Sequence, residues 1–150
     1  MAGGHDIGYL HRGEEEAIIH KTQFRYIENE IYSYYDTKRR AEELTIEAAL
    51  STPPQHEIRS TDISDPTFNS VKILALHNER LRMLDITQAI HEAILALDPE
   101  IYDVLNDKYW LRPYKKWQQI ADENYVDVRT VFRWRRAFVE MIATKLRRKY

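Results

Sequence analysis

Apolar residues recur at helical spacings along most of the chain. Ile18, Phe24, Ile27, Ile31 and Tyr34 are separated by three, four or six residues, and the same face continues through Lys38, Ala41 and Ala48. No Gly or Pro interrupts residues 14–52, and Glu14, Glu15 and Glu16 place negative charge where a helix N-terminus favours it. The pattern predicts one long amphipathic helix over 14–52, with a break near Tyr35 and Asp36. Residues 1–13 carry two adjacent glycines and no periodicity, and read as a flexible tail. Between 51 and 70 the chain holds four Ser, three Thr and three Pro. Pro53 and Pro54 stop a helix, because each lacks the amide donor and its ring clashes with the preceding turn. Residues 53–69 are therefore expected to form a flexible linker that lets the N-terminal helix move independently.

A second helix is expected from Asn69 or Ser70 to Leu97, with Leu76, Met83, Ile86, Ile90, Ile94 and Leu97 as one buried stripe. Asp98-Pro99 restarts the chain, Asp98 as a cap and Pro99 at the first helical position. A short helix through Tyr109 should bury Ile101, Val104 and Leu105, and Arg112-Pro113 breaks it. Two further helices, over about 115–124 and 128–148, complete the chain. No segment alternates with period two, so the fold class is all-α: a long N-terminal helix, a flexible linker, and a four-helix domain over 70–150 that ends in a helix-turn-helix.

Composition narrows the function. Of 150 residues, 43 % are hydrophobic and 31 % charged, which is enough apolar surface for a core. No cysteine is present, which excludes disulfides, thiolate metal sites and a cysteine nucleophile. The longest apolar run, Ala93 to Leu97, is far short of the roughly 18 residues a membrane span needs. No secretory signal is visible, so a cytoplasmic location and no membrane partner are expected. His77 and His91 share a helix face but lie about 21 Å apart by helix rise, too far to share one ion. His5 and His11 fall in the tail. The glutamate run and Asp62 and Asp65 are explained by capping and linker solubility. With no Ser-His-Asp arrangement and no Gly-rich phosphate loop, neither enzymatic activity nor a metal or other cofactor is expected.

The net charge of −2 hides a division. Residues 1–107 carry 10 Lys and Arg against 20 Asp and Glu, whereas residues 108–150 carry 12 against 4. A basic end points to a polyanion partner. Within it, residues 116–150 fit a helix-turn-helix position by position. Ile120 supplies a core contact, Ala121 is small where two helices cross, Val126 plugs the turn, Asp127 caps the second helix, and Val131 packs back on Ala121. The turn position four after Ala121, often glycine in such motifs, is Tyr125. Arg129, Arg133 and Arg136 share one face of the second helix, opposite Val131, Trp134, Phe138 and Ile142. Such a face suits the major groove, with arginines donating to guanine O6 and N7 or to phosphates. Thr130 suits a phosphate or a thymine methyl. Phe132 suits either a thymine methyl or packing on the preceding helix. Lys115, Lys116, Arg147 and Arg148, with Lys145 and Lys149, add non-specific attraction, and Asp127 sits at the contact edge. Trp117 and Trp134 are expected in the core.

Residues 70–150 resemble phage transcriptional regulators of the RinA and ArpU type, whose helix-turn-helix is similar to region 4 of sigma factors. The resemblance rests on LHNERLRMLDITQAIHEAILAL (76–97), Asp98-Pro99-Glu100, Tyr109-Trp110, W-x-x-I-A (117–121) and VDVRTVFRWRR (126–136). YIENEIYSYYDTKRRAEEL (26–44) resembles the first helix of that family. Asn124-Tyr125 stands where relatives tend to have a Leu-His pair. The resemblance implies a DNA-binding activator of a late or packaging operon in a phage or prophage, acting in the bacterial cytoplasm on double-stranded DNA. Tyr32, Tyr34 and Tyr35, with Ile27 and Ile31, form a band that either docks on the C-terminal domain or meets a second protomer or RNA polymerase. The alternatives are a small terminase subunit and a helical protein whose basic helix binds an acidic partner.

Overall fold

The computed structural model describes residues 19–51 and 66–148, and all regular structure in them is helical. In chain order the helices are α1 (Lys21–Tyr32), α2 (Tyr34–Ser51), α3 (Pro66–Leu95), α4 (Pro99–Tyr109), α5 (Trp117–Glu123) and α6 (Val128–Arg147). Among the described residues no helix is long and apolar enough to cross a membrane.

The expected N-terminal helix is two helices. The break falls at Ser33 rather than at Tyr35-Asp36, and Ser33 donates its amide back to the Asn29 and Ile31 carbonyls before the ladder resumes with Thr37 on Ser33. Neither helix floats free. Ile27 and Ile31 of α1 are fully buried, and Tyr34, Ala41 and Leu44 of α2 are nearly so. Each isoleucine contributes about 1.5–3 kcal/mol of burial, too much to leave α1 moving independently on a tether. Lys38 and Ala48, placed on the inner face by spacing alone, are exposed although Tyr34 and Ala41 on the same line are buried; Lys38 lies at the open groove between α2 and α3. Ile18 and residues 1–17 lie outside the described residues.

Residues 66–69, assigned to the linker, open α3, since a proline at the first helical position sacrifices no hydrogen bond. The remainder of that expected linker, 53–65, lies outside the described residues. α3 ends at Leu95, two residues early, on the short bonds of Ala96 and Leu97 to the Ala93 and Ile94 carbonyls. Its buried stripe is Ile86, Ala89, Ile90 and Ala93. Met83, Ile94 and Leu97 are half-buried, and Leu76 is exposed because α3 runs on past the core.

Pro99 opens α4 as expected, but the Asp98 side chain makes no cap bond; only its carbonyl is used, accepting from Tyr102. Val104 and Leu105 are fully buried and Ile101 partly so. α4 stops at Tyr109, before the cis Arg112-Pro113 peptide. Two clusters make the core. The larger joins Ile27, Ile31, Ile90, Leu105, Tyr109 and Phe138 from five helical segments counting Tyr34. The smaller holds Val104, Ile120, Ala121 and Val131, beneath the α5–α6 corner.

Candidate nucleic-acid interface

The corner between α5 and α6 is made by local chemistry. α5 ends with the Val126 amide on the Ala121 carbonyl at 2.9 Å and the Tyr125 amide on the Asp122 carbonyl at 3.3 Å. These two bonds are the Schellman arrangement, which needs a left-handed residue just past the helix end. Tyr125 supplies it at φ 56°, and its side chain is 98 % exposed. Asn124 braces the same turn, its Nδ2 donating to the Ile120 carbonyl at 2.8 Å and to Asp107 at 3.3 Å. Val126 packs on the smaller core cluster, and Asp127 Oδ1 accepts from the Arg129 amide at 2.9 Å. Asp127 is thus occupied as the cap of α6, which is the role its spacing suggested.

α6 divides into two faces. Val131, Phe138, Val139, Ile142 and Ala143 are buried, with Trp134 half-buried beside the α5 contact. Arg129, Phe132, Arg133, Arg136 and Ala137 are exposed. Arg133 Nη2 donates to Thr130 Oγ1 at 3.1 Å, so these two residues of the first turns act as one polar unit. Phe132 is 42 % exposed while its ring lies 6.2 Å from Trp117, so it both packs on α5 and remains open on its outer edge. Arg136 Nε is bound to Glu140 at 2.9 Å, which lowers the charge it can offer. The cationic end of the face is therefore the N-terminal one, at Arg129 and Arg133.

The outlying basic residues separate in the same way. Lys115 Nζ meets Glu123 at 2.7 Å, and this hydrogen bond holds its ammonium above the usual lysine range. Lys145 faces Glu92 at 3.5 Å. Lys116, Arg147 and Arg148 are exposed, and Lys149 lies outside the described residues. Trp117 is half-buried in the core cluster, 5.7 Å from Tyr109, as expected of a packing aromatic.

Arg135 is half-buried and turns towards α1. Its Nε donates to Glu28 Oε2 of α1 at 2.6 Å, its second bond reaches Glu28 Oε1, and its guanidinium lies 5.2 Å over Phe24 and 5.1 Å over Trp117. The Glu28 bond raises its pKa further above the ordinary value. Glu28 also accepts from the Tyr109 hydroxyl at 2.8 Å, and burial drives the Tyr109 pKa well upward, so that phenol stays protonated. Trp110 Nε1 donates to the Ile31 carbonyl at 2.8 Å. The tyrosine band of the N-terminal region thus docks on this domain: Tyr32 packs edge-on to Tyr109 at 4.8 Å, and Tyr35 to Trp110 at 5.5 Å.

Docking of α1 adds two basic residues that sequence reasoning passed over. A groove between α1 and α6 is lined by Phe24 and Phe132, by Lys21 and Arg25, and by Arg135 and Arg136 with their carboxylate partners Glu28 and Glu140. Exposed Lys21 and Arg25, four residues apart on α1, thus share a rim with the outer face of α6. Their spacing was the available signal, but it was averaged away in the acidic balance of residues 1–107. No group of three His, Cys, Asp or Glu residues that could hold a metal ion occurs among the described residues. No family model, curated protein or solved structure matches the chain.

Proposed function

We propose that the chain is a sequence-specific DNA-binding regulator of transcription, with α5, the Tyr125 turn and α6 as its helix-turn-helix. The observation that carries this reading is the division of α6: an Asp127-capped N-terminus, a buried inner stripe, and Arg129 and Arg133 exposed together on the outer face. A helix presented this way fits a major groove about 12 Å wide, where arginine can donate twice to a guanine edge. Arg129 and Arg133 read bases, Phe132 offers its outer edge to a thymine methyl, and Thr130, Lys116, Arg147 and Arg148 hold the backbone. Arg136 and Lys115, already paired with Glu140 and Glu123, contribute less. The resemblance to regulators of the RinA and ArpU type adds activation of a late or packaging operon as the biological setting.

The test is selection of duplexes from a random-sequence pool, followed by anisotropy titration of the selected and unselected duplexes at two salt concentrations. A specific reader enriches one motif and binds it about a thousandfold more tightly than the rest. Uniform, steeply salt-dependent binding overturns the reading, since α6 would then be seeing phosphates alone, as in a packaging or architectural protein.

A further inference from the structure

The first half of α3 leaves its apolar residues in solvent. Phe68, Val71, Ile73, Leu74, Leu76 and Leu81 are 66, 61, 68, 58, 42 and 43 % exposed, Ile73 and Leu76 on a different side of the helix from Val71, Leu74 and Leu81, and every residue from Thr67 to Glu79 is exposed. The core is built only from the far half of this helix, at Ile86, Ala89, Ile90 and Ala93. A contiguous apolar surface of this kind on a helix ordinarily marks an interaction site.

The spacing along it identifies the occupant. Val71, Leu74, Asn78 and Leu81 follow one another by three, four and three residues, the a, d, a, d sequence of a two-stranded coil. A β-branched residue at a and leucine at d favour two parallel strands. A single asparagine at an a position fixes register, because it is satisfied only by the same asparagine on the partner. The stripe is therefore complementary to itself. Phe68, Val71, Leu74 and Leu81 together expose on the order of 400 Å² in one copy, so two copies bury at most about 800 Å² through them, with Ala75 and Asn78 adding to it, which places the contact at the small end of specific interfaces.

We propose that a second copy of this chain covers the stripe, the two α3 helices running parallel with their Asn78 side chains facing each other. This interface differs from the tyrosine band, which is already used within one copy. It is also independent of whether α6 binds DNA.

Sedimentation of the full chain without DNA is expected to give twice the 18.0 kDa of one copy. The double substitution Leu74→Glu with Leu81→Glu is expected to return it to one copy while leaving helical circular dichroism unchanged, because neither residue belongs to the core. A wild-type chain that sediments as one copy overturns the proposal, and that outcome would be expected if residues 1–18 or 52–65 of the same chain covered the stripe. A dimer unaffected by the double substitution overturns it as well. With no native cysteine, Asn78→Cys reports geometry directly. Its interchain disulfide should form about tenfold faster than that of Glu79→Cys, since facing thiols have the higher effective concentration. Equal rates contradict the parallel register.

Discussion

Tyr125 occupies a backbone conformation that suits glycine, at φ 56°, and its side chain is 98 % exposed. A residue with a Cβ carries a steric cost of about 1–2 kcal/mol there, and this tyrosine recovers nothing by burial. Tyr125→Gly is therefore expected to stabilise the fold by about 1 kcal/mol in urea denaturation, part of the gain being offset by the flexibility of glycine in the unfolded chain. A loss of stability would mean that the turn depends on the tyrosine ring. The sequence marked this position as a departure, and the roles of Asp127, Ala121 and Val131 were legible because each is set by neighbours within about three helical turns. Asp98 was misread: its residue type suits a cap, but no amide in the first turn of α4 takes its carboxylate. Arg135 could not be read locally at all. Its partner Glu28 lies 107 positions away, and no periodicity encodes a contact at that distance.

The helices were predicted well where their apolar stripe meets the core and poorly where it does not. α4, α5 and α6 appeared at nearly the expected boundaries because Pro99, the turn at Tyr125 and the Asp127 cap punctuate them. The composition of residues 51–70 suggests an independently moving N-terminal helix, while its tyrosine band leaves docking on the C-terminal domain open; the band docks, with Tyr32 on Tyr109 and Tyr35 on Trp110. Residues 1–52 supply Tyr32 to Tyr109 and the Glu28 carboxylate to Arg135 and Tyr109, so their removal would disturb the domain that carries α6. A single substitution is more informative. Glu28→Ala removes the acceptor of both Arg135 and Tyr109 in a half-buried site, and is expected to cost about 2–3 kcal/mol. Glu30→Ala, which loses only the 3.5 Å contact with half-exposed Arg82, should cost under about 1 kcal/mol. Equal costs in chemical denaturation would show that the Glu28 network does not hold α1 in place.

Across the whole molecule, charge and apolar surface are segregated. The outer face of α6 carries Arg129 and Arg133, α1 brings Lys21 and Arg25 to its rim, and the solvated apolar residues of α3 lie on the part of that helix beyond the core. The all-helical class was legible from periodicity alone, whereas the rim was not, because it exists only once α1 is docked. The proposed function rests on the claim that the exposed arginines read bases rather than phosphates. Titration of Arg129→Ala, Arg133→Ala and Lys116→Ala on the selected duplex and on a scrambled one tests that claim most directly. Each arginine variant is expected to lose about 1–3 kcal/mol on the selected duplex and to discriminate less, while Lys116→Ala weakens both duplexes alike with a shallower salt dependence. Arginine variants that bind both duplexes as the wild type does would contradict it.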